Sequence, residues 1–394
     1  MSKIDELIQQ LCPNGVEYRR LNEICNMRGR IGFRGYTRRD LVAPGQGAIS
    51  LSPSNISNGV VSYSNCTYIS WDKYDESPEI KVNIGDIIFT KTASVGKTAL
   101  IKSLPAKATI NPQLVLITAT NCNSAYLSYV LQGKAFQDEV LRMTGIGSVP
   151  NISQANLGSI EIPLPPLPVQ EEIVRILDAF TSHAAELQAE LQARQEQYEY
   201  YRNKLLSFED DSSVEWKKLG DVCAILDSRR RPVSKGKRVK GIYPYYGANG
   251  IQDYVDDYIF NGTYLLVGED GSVINKDKSP VLNWATGRIW VNNHAHILSE
   301  TDSGANLRYL YYALSVTDVS DVVRGTPPKL NQKNLQNLLI PIPPLPVQEE
   351  IVAILDKFEA LVNDLTEGLP AEIAARQEQY EYYRDKLLSF PKAV

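Results

Sequence analysis

The residues with the clearest chemical potential in this sequence are two clusters of cationic side chains in loop-like stretches. Guanidinium groups pair with phosphates and can present two parallel donors to a guanine edge, so such clusters favour contact with DNA. A solvated charged loop is the alternative, and a single cluster would favour it. Two clusters at matched positions favour DNA contact instead. The clusters are Arg28, Arg30, Arg34, Arg38 and Arg39, and Arg229, Arg230, Arg231, Lys235, Lys237 and Arg238.

Two further lysines lie beside a possible phosphate-binding motif. Gly96-Lys97-Thr98 resembles the end of a P-loop, but position 91, where that motif needs its first glycine, holds a lysine. We therefore reject a nucleotide site. Lys91 and Lys97 are predicted instead to form a basic hairpin that faces nucleic-acid phosphate.

No complete set of catalytic residues accompanies these cations. Asn111-Pro112-Gln113 is similar to the start of an adenine-methylating signature, but it lacks the second proline and the aromatic residue. His294 and His296 alternate on a predicted strand without a cysteine or carboxylate cluster nearby in sequence, so we expect a packing role and no metal site. The chain is expected to be non-catalytic by itself and to bind no cofactor.

The two regions that carry the cations begin and end alike. Val16–Cys25 has its counterpart in Val214–Cys223, and Gly147–Leu157 matches Gly325–Leu335. Between these shared ends the sequences differ, although both read as short strands separated by turns. We predict two mixed α+β domains with a common framework and different reading surfaces.

Strand and turn signals are clearest at four places inside these regions. Asp86–Thr90 and Tyr264–Val267 are predicted to be buried strands. Gly247–Gly250 and the pair Asn261-Gly262 are predicted to be turns.

The most strongly repeated stretch follows each region. Ile162–Phe180 returns as Ile340–Phe358 at an offset of 178 residues, and Ala193–Phe208 returns as Ala375–Phe390 at an offset of 182. Apolar residues at spacings of three and four after a proline-rich lead-in predict long helices that pair with other helices. The residues predicted to form this pairing are Ile173, Leu177, Phe180, Leu187, Leu191, Tyr198, Tyr201, Leu205, Ile351, Leu355, Phe358, Leu365, Tyr380, Tyr383 and Leu387.

Two details of the repeat predict how the helices are arranged. The second copy is four residues longer near Gly368 and Pro370, where we expect a kink or a break. The segment before residue 12 aligns with the end of the first long helix, which predicts a ring-like closure with a pseudo-two-fold axis. Near-identity at exposed positions such as Gln195–Gln197 favours a duplicated functional spacer over two ordinary surface helices.

Charge is divided unevenly along the chain. The net charge is −5 over 394 residues, yet residues 13–165 and 213–343 carry +4 and +3, whereas residues 166–212 and 344–394 carry −6 and −5. Acidic helices between two basic regions are compatible with nucleic-acid binding. Five scattered cysteines and the lack of a membrane-spanning apolar run indicate a soluble, cytoplasmic protein.

Together these motifs resemble the specificity subunit of type I restriction-modification systems. The resemblance covers essentially the whole chain and rests on Pro165–Val174, its repeat Pro343–Val352, and the two Arg-Gln-Glu-Gln-Tyr-Glu-Tyr-Tyr-Arg helices. The Ala-Glu-Leu units at residues 185–187 and 189–191 look like the tetrapeptide repeats of one branch of that family.

The resemblance implies a non-catalytic subunit with two target-recognition domains that read the halves of a bipartite, asymmetric site in double-stranded DNA. It also implies that the two helical regions pack antiparallel, set the spacer and dock two modification subunits that use S-adenosylmethionine. Two restriction subunits that require ATP and Mg²⁺ are expected to join them. The domains are expected at residues 1–12 (helical), 13–165 (recognition), 166–212 (helix), 213–343 (recognition) and 344–394 (helix).

Two other classes of protein remain open from the residues alone. A coiled-coil scaffold without DNA binding would share the helices but would show no salt-dependent affinity for DNA. A self-sufficient methyltransferase or nuclease would need motifs that this sequence does not show.

Overall fold

The chain folds into two compact units, and long helices contribute to both. The structure, a computed structural model, describes residues 2–30, 35–145, 147, 149–208, 212–302, 304–364 and 367–393. Unit 1 consists of Met1–Leu187 and Ile373–Val394, and unit 2 of Gln188–Glu372. The fold is α+β, as predicted.

Unit 1 contains mostly short strands and helices, together with parts of two longer helices. Its elements are α1 (Lys3–Leu11), β1 (Glu17–Arg20), α2 (Leu21–Ile24), β2 (Cys25–Gly29), β3 (Leu41–Val42), β4 (Ala48–Leu51), β5 (Ile56–Ser57), β6 (Val60–Val61), β7 (Thr67–Ile69), α3 (Trp71–Asp75), β8 (Lys81–Val82), β9 (Ile87–Thr90), β10 (Thr98–Leu100), β11 (Ala108–Ile110), β12 (Leu114–Ala119), α4 (Ser124–Gln132), α5 (Lys134–Met143), α6 (Gln154–Ser159), β13 (Glu161–Leu164) and the first part of α7 (Leu167–Leu205).

Unit 2 begins within α7 and has fewer, longer strands. Its elements are β14 (Glu215–Lys218), α8 (Leu219–Val222), β15 (Ala224–Ile225), β16 (Lys240–Gly247), β17 (Gly250–Val255), β18 (Phe260–Gly268), β19 (Leu282–Val291), β20 (Ala295–Ser299), α9 (Leu307–Leu314), α10 (Gln332–Gln336), β21 (Leu339–Ile342) and α11 (Leu345–Asn363). The next helix, α12 (Leu369–Leu387), belongs mostly to unit 1.

The sheets differ between the units. Unit 1 has a four-stranded antiparallel sheet in the order β10-β9-β12-β2 and a five-stranded sheet in the order β3-β7-β4-β11-β8. Unit 2 has one six-stranded sheet in the order β15-β20-β18-β19-β16-β17, in which β16 runs parallel to β19. This divergence agrees with the sequence, which repeats at the two ends of each region and not across these large sheets.

A small two-stranded ladder is common to both units. β1 pairs antiparallel with β13, placing Tyr18 opposite Pro163, and β14 pairs with β21, placing Trp216 opposite Pro341. Proline has no N–H to donate, and a two-stranded ladder tolerates it because one side of each strand is unpaired. The repeated ends of each region therefore meet in space and lead directly into a long helix.

Among the described residues, the two largest apolar clusters of each unit form most of its core. In unit 1, one cluster joins α4, α5 and the start of α7, and the other lies between the two large sheets. In unit 2, one cluster joins α9, α10 and the start of α11, and the other lies on the six-stranded sheet. The start of each long helix is thus part of a domain core.

One predicted turn is wrong. Asn261 and Gly262 lie inside β18, where they pair with Arg288 and Gly287 of β19. Gly262 has a φ of +153°, a value that suits glycine. Cross-strand pairing with β19, which sequence patterns do not report, outweighed the local turn preference.

The four-residue insertion coincides with an interruption of the second long helical stretch. α11 ends at Asn363 and α12 begins at Leu369, with Gly368 immediately before it. A Cβ at Gly368 would lie 2.6 Å from the carbonyl oxygen of Ala360, so this position accepts only glycine without rearrangement.

The C-terminal residues return to the start of the first globular region within unit 1. The N–H of Val16 donates to the carbonyl oxygen of Pro391 at 2.9 Å, and the N–H of Ala393 donates to that of Val16 at 2.9 Å. The hydroxyl of Tyr18 donates to the carbonyl oxygen of Phe390 at 2.8 Å. These bonds join the C-terminal segment to the start of β1 within unit 1.

Candidate nucleic-acid interface and helix junctions

Most of the predicted cations of unit 1 are exposed. Arg28 projects from β2, and Arg38 and Arg39 lie on a short 3-10 turn that Thr37 caps. Lys91 and Lys97 flank the connection between β9 and β10, which pair as the predicted hairpin. Arg34 lies outside the described residues.

Arg30 is a correction to the predicted DNA-contacting set. Its side chain is buried, and it donates to the carbonyl oxygen of Ile110 and to the hydroxyl of Thr109, both at 3.1 Å. Burial lowers the pKa of its guanidinium. Arg30 therefore holds β11 against the neighbouring sheet and does not face a ligand.

In unit 2, four predicted cations are exposed. Arg229 lies 4.9 Å above the ring of Phe260. The carbonyl oxygen of Arg231 accepts a hydrogen bond from the indole of Trp290 at 2.6 Å, and this bond fixes the loop backbone while the side chain stays exposed. Lys235 and Lys237 lie on an exposed 3-10 turn.

Arg230 and Arg238 are two further corrections. Arg230 is largely buried between Asp227 and Glu269, and its guanidinium forms an ion pair with each carboxylate. Arg238 lies 4.1 Å above the ring of Tyr245 and pairs with Asp253 at 3.3 Å. Both arginines are occupied inside the domain, because folding brings Glu269 to Arg230 and Asp253 to Arg238 from distant parts of the sequence.

The pair His294 and His296 has carboxylate neighbours that the sequence did not suggest. Among the described residues, Asp227, Glu269 and His296 are a group whose ligand atoms all lie within 4.8 Å of one another. Cations already occupy this group, since Arg230 contacts both acids and the ammonium of Lys329 lies 3.0 Å from Glu269. We interpret it as a buried ion-pair network.

Hydrogen bonds hold His296 at the centre of this network. One ring nitrogen of His296 lies 2.5 Å from Asp227 and the other lies 2.7 Å from the carbonyl oxygen of Leu330. Burial raises the pKa of Glu269, but hydrogen bonds from Arg230 and Lys329 outweigh it, and this pKa lies below its ordinary value.

Sequence reasoning missed a cluster at the six-stranded sheet in which an exposed arginine lies over half-buried tyrosines. The guanidinium of Arg288 lies 5.1 Å above the ring of Tyr258, and the rings of Tyr258 and Tyr243 lie 5.1 Å apart. A guanidinium held over aromatic rings is suited to phosphate contact and base stacking. No local pattern could reveal it, because the three residues come from different parts of the sheet region.

Each long helix is anchored to its domain by a buried glutamine from the repeated motif. The side-chain oxygen of Gln170 accepts from the N–H of Asn123 at 2.9 Å, and its amide donates to the carbonyl oxygen of Pro165 at 2.7 Å. Gln348 makes the same two bonds to Asn306 and Pro343, at 2.8 Å each. Identity of this motif in both copies has a structural cause that sequence reasoning did not assign.

A tyrosine of each domain also reaches an aspartate on the long helix. The hydroxyl of Tyr129 donates to Asp178 at 2.7 Å, and that of Tyr312 donates to Asp356 at 2.5 Å. Burial, reinforced by the aspartate, raises the pKa of both tyrosines, so the hydroxyls stay protonated as donors. Arg308 strengthens the second junction, because it pairs with Asp356 at 2.7 Å and lies over the ring of Tyr312.

The predicted pairing of helices is present within each unit. Phe180 stacks on Tyr383 at 5.5 Å in unit 1, and Tyr201 stacks on Phe358 at 5.8 Å in unit 2. Of the other predicted residues, Leu365 lies outside the described part of the chain. Those that are buried are Ile173, Leu177, Leu187, Leu191, Ile351 and Leu355, and those that are partly buried are Tyr198, Leu205, Tyr380 and Leu387.

Acid is expected to weaken the start of α7. Glu172 is buried and accepts hydrogen bonds from Arg175 and from Lys3 of α1, which lower the pKa of its carboxyl to about 2. A depressed pKa stabilises the fold above the ordinary value of 4.5, and the contribution is lost as pH falls from there towards 2. Because both cations are largely exposed, we expect about 1 kcal/mol at neutral pH.

Melting curves of the wild type and of Glu172→Gln test this expectation. The variant should melt about 2–4 °C lower at pH 7, and the gap should close as pH falls below 4.5. Glu171→Gln, at the exposed neighbouring position, is the control and should melt like the wild type. A gap that is independent of pH would show that charge on Glu172 contributes nothing.

Comparison with known proteins identifies the family. The model of the type I restriction modification DNA specificity domain matches residues 13–197 and again residues 212–375. A putative type I restriction enzyme specificity subunit of Haemophilus influenzae is 44% identical over 185 residues, which is 46% of this chain and 47% of that protein. A type I restriction enzyme specificity subunit of Escherichia coli is 35% identical over 268 residues, covering 61% of this chain and 65% of its own. The chain thus spans less than two thirds of either relative.

Solved structures agree at the level of the fold. The crystal structure of a type I restriction-modification S subunit from M. genitalium has a TM-score of 0.60 at 14% identity, covering 95% of this chain and 96% of that chain. That of an HsdS subunit from Thermoanaerobacter tengcongensis has a TM-score of 0.51 at 19% identity, covering 96% and 97%.

None of the helices in the described residues has the length and apolar character needed to cross a membrane. Two matches to one family model, which together cover most of the sequence, agree with the internal repeat and with the shared ladder of the two units. The chain belongs to the family of type I restriction modification DNA specificity domains and contains two of them.

Proposed function

We propose that this chain is the DNA sequence-specificity subunit of a type I restriction-modification enzyme. Each of its two recognition domains reads one half of a bipartite, asymmetric site in double-stranded DNA. The observation that carries this proposal is the double match to a DNA specificity domain, beginning at residue 13 and again at residue 212. A chain with two such domains suits a site with two unlike halves, because the sheets of the two units differ.

Cations at the surface of both units support DNA as the ligand. The residues that we propose to contact DNA are Arg28, Arg38, Arg39, Lys91 and Lys97 in unit 1, and Arg229, Arg231, Lys235, Lys237 and Arg288 in unit 2; all are exposed except Lys91, which is half-buried. Arg30, Arg230 and Arg238 are left out because contacts inside their domains occupy them.

Other chains would supply the chemistry. We propose that two modification subunits dock on the long helices and transfer the methyl group of S-adenosylmethionine, and that two restriction subunits use ATP and Mg²⁺. The assembled enzyme would act on DNA in the cytoplasm. The repeat supports two equivalent docking positions, because Gln195-Glu196-Gln197 recurs identically at residues 377–379 and all but Gln197 and Gln379 are fully exposed.

Methylome sequencing tests the proposal as a whole. The chain would be expressed with its modification partner in a host that lacks DNA methylation of its own. We expect one methylated motif with two specified halves and an unspecified spacer of constant length. Methylation without a bipartite motif, or methyl transfer by the chain alone, would contradict the proposal.

Salt dependence of DNA binding tests the proposed contacts. For the assembled methyltransferase, the slope of log affinity against log salt falls by about 0.9 for each phosphate contact that is lost. The double variant Lys235→Ala, Lys237→Ala should therefore lower the slope by up to about 1.8 and weaken binding to all sequences alike. Fluorescence anisotropy over a salt series measures it.

Lys333→Ala is the matched control, since Lys333 is exposed on α10 and belongs neither to the long helices nor to the residues proposed to contact DNA. Its slope should equal that of the wild type. If the double variant also keeps the wild-type slope, neither lysine contacts phosphate.

A further inference from the structure

The first helix of the chain fills a groove in unit 1. Lys3 pairs with Glu172 at the start of α7 at 2.8 Å, and Ile4 belongs to the same buried cluster as Val169 and Ile173. Hydrogen bonds within the Ser2 cap lower the pKa of Asp5 most, and the charge of Lys386 near the end of α12 adds to them. α1 therefore lies between the start of one long helix and the end of another.

Unit 2 has the equivalent groove, and no separate helix among its described residues takes the place that α1 has in unit 1. The end of α7, which the sequence aligned with α1, instead forms one side of this groove, as the end of α12 does in unit 1. The repeat relates Val169 to Val347 and Glu172 to Glu350 at an offset of 178. A groove of about 320 Å³ lies there, between the end of α7 and the start of α11, and is lined by Leu205, Phe208, Val347, Glu350, Ile351 and Ile354.

Exposure of the matched residues shows what α1 contributes. Val169 is 0% exposed, whereas Val347 is 39% exposed. The Glu172 side chain is 3% exposed and paired with Lys3, whereas Glu350 is exposed and makes no ion pair among the residues that the structure describes. The same apolar and acidic surface is thus covered in one unit and uncovered in the other.

The charges that flank the two grooves also match. Glu172 and Lys386 flank α1 in unit 1, and Glu350 and Lys204 occupy the corresponding positions of the second groove at offsets of 178 and 182. α1 presents Lys3 to the acid and Asp5 on the side of the base. A helix with the same charge order would find complementary partners in unit 2.

Binding of a helix from a partner protein in this groove is more favourable than binding of α1 from a second copy of this chain. The α1 of another copy would first have to leave its own groove, exposing Ile4 and breaking the pair between Lys3 and Glu172. A helix from another protein has no such cost. Amphipathic helices commonly bind such grooves through apolar residues at spacings of three and four.

We propose that the groove of unit 2 binds an amphipathic helix of a partner protein that resembles α1. This helix has an apolar stripe at the spacing of Ile4, Leu7, Ile8 and Leu11, a lysine at its start for Glu350, and an acid two residues later on the side of Lys204. The inference rests on the comparison of the two grooves and needs no DNA binding.

Disulfide tethering to the full chain tests this inference with α1 itself as the probe. A synthetic peptide of residues 2–11 carrying Lys3→Cys, as a mixed disulfide with glutathione, is equilibrated with the Glu350→Cys chain. Exchange releases glutathione and joins the peptide to the chain, and mass spectrometry locates the bond. Glu349→Cys, at the exposed neighbouring position, is the control. We expect about tenfold more tethering at position 350, because apolar burial there adds to the bond.

The apolar face supplies the decisive comparison. Leu7→Asp in the peptide, or Val347→Asp in the chain, should reduce tethering at position 350 to the level at position 349. Equal tethering at both positions, or tethering that these changes do not reduce, would overturn the proposal. Sedimentation of the wild-type chain gives the other outcome: a dimer that disappears on deletion of residues 2–11 would make a second copy the occupant and would also overturn it.

Discussion

Duplication of Gln188–Leu191 in α7 is expected to lengthen the unread spacer of the DNA site by one or two base pairs while leaving both half-sites unchanged. Four helical residues add about 6 Å, and base pairs stack about 3.4 Å apart. The insertion turns the following residues by only about 40°, so the apolar face of α7 still meets its neighbouring helix. This expectation depends on the proposed function. The variant should methylate only sites with the longer spacer, so methylation at sites with the original spacer should be lost.

A two-residue insertion at the same place is the matched control. It turns the part of α7 after the insertion by about 200° relative to the part before it, so one continuous helix can no longer join both units in the wild-type geometry. This variant should fail to assemble and should methylate no site. Methylome sequencing compares the two variants with the wild type. An unchanged spacer after the four-residue insertion would show that α7 does not set the distance between half-sites.

Removal of Asp227 is expected to destabilise unit 2 by about 3–5 kcal/mol, because it leaves the largely buried guanidinium of Arg230 without one of its two counter-charges. The side chain of Asp227 is 4% exposed, lies 2.5 Å from a ring nitrogen of His296, and accepts from the N–H of Ile297. Asp227→Ala would leave Glu269 as the one carboxylate beside Arg230 in the described part of the chain, and would remove a buried partner of His296.

Urea unfolding followed by tryptophan fluorescence measures this effect in one unit. Three of the four tryptophans lie in unit 2, so a Trp71→Phe background makes the signal specific to it. Asp321→Ala, at an exposed position of the same unit, is the control and should change stability by less than about 0.5 kcal/mol. The double variant Asp227→Ala, His296→Phe should recover part of the lost stability, since it removes both partners of the hydrogen bond between Asp227 and His296. A single variant as stable as the control would contradict the network.

The helices and the repeat were predictable because their signals are local. Apolar residues such as Ile173 and Leu177 recur at helical spacing, and both are fully buried in the structure. The repeated ends of each region also predicted a common framework, and the ladders β1–β13 and β14–β21 are that framework. Periodicity and repetition need no knowledge of distant contacts.

Which cations are free could not be read from the sequence. Arg28 and Arg30 lie two positions apart in the same motif, yet Arg28 is exposed and Arg30 is buried. Arg230 lies between the exposed Arg229 and Arg231, but it forms ion pairs with Asp227 and with Glu269, the residue that follows β18. In each case a partner distant in the chain, or a strand that covers the side chain, decides the outcome.

By itself, the sequence determined that the chain has two unlike domains, each followed by a long helix, and that its acidic residues are concentrated in those helices. Only the tertiary structure decided that Gln170 and Gln348 anchor the helices, that Arg30, Arg230 and Arg238 are structural, and that the groove filled by α1 in unit 1 is open in unit 2. The physical reason is the range of the forces. Helix formation and apolar periodicity act between near neighbours in the chain, whereas burial and ion pairing depend on segments that meet only when the chain has folded.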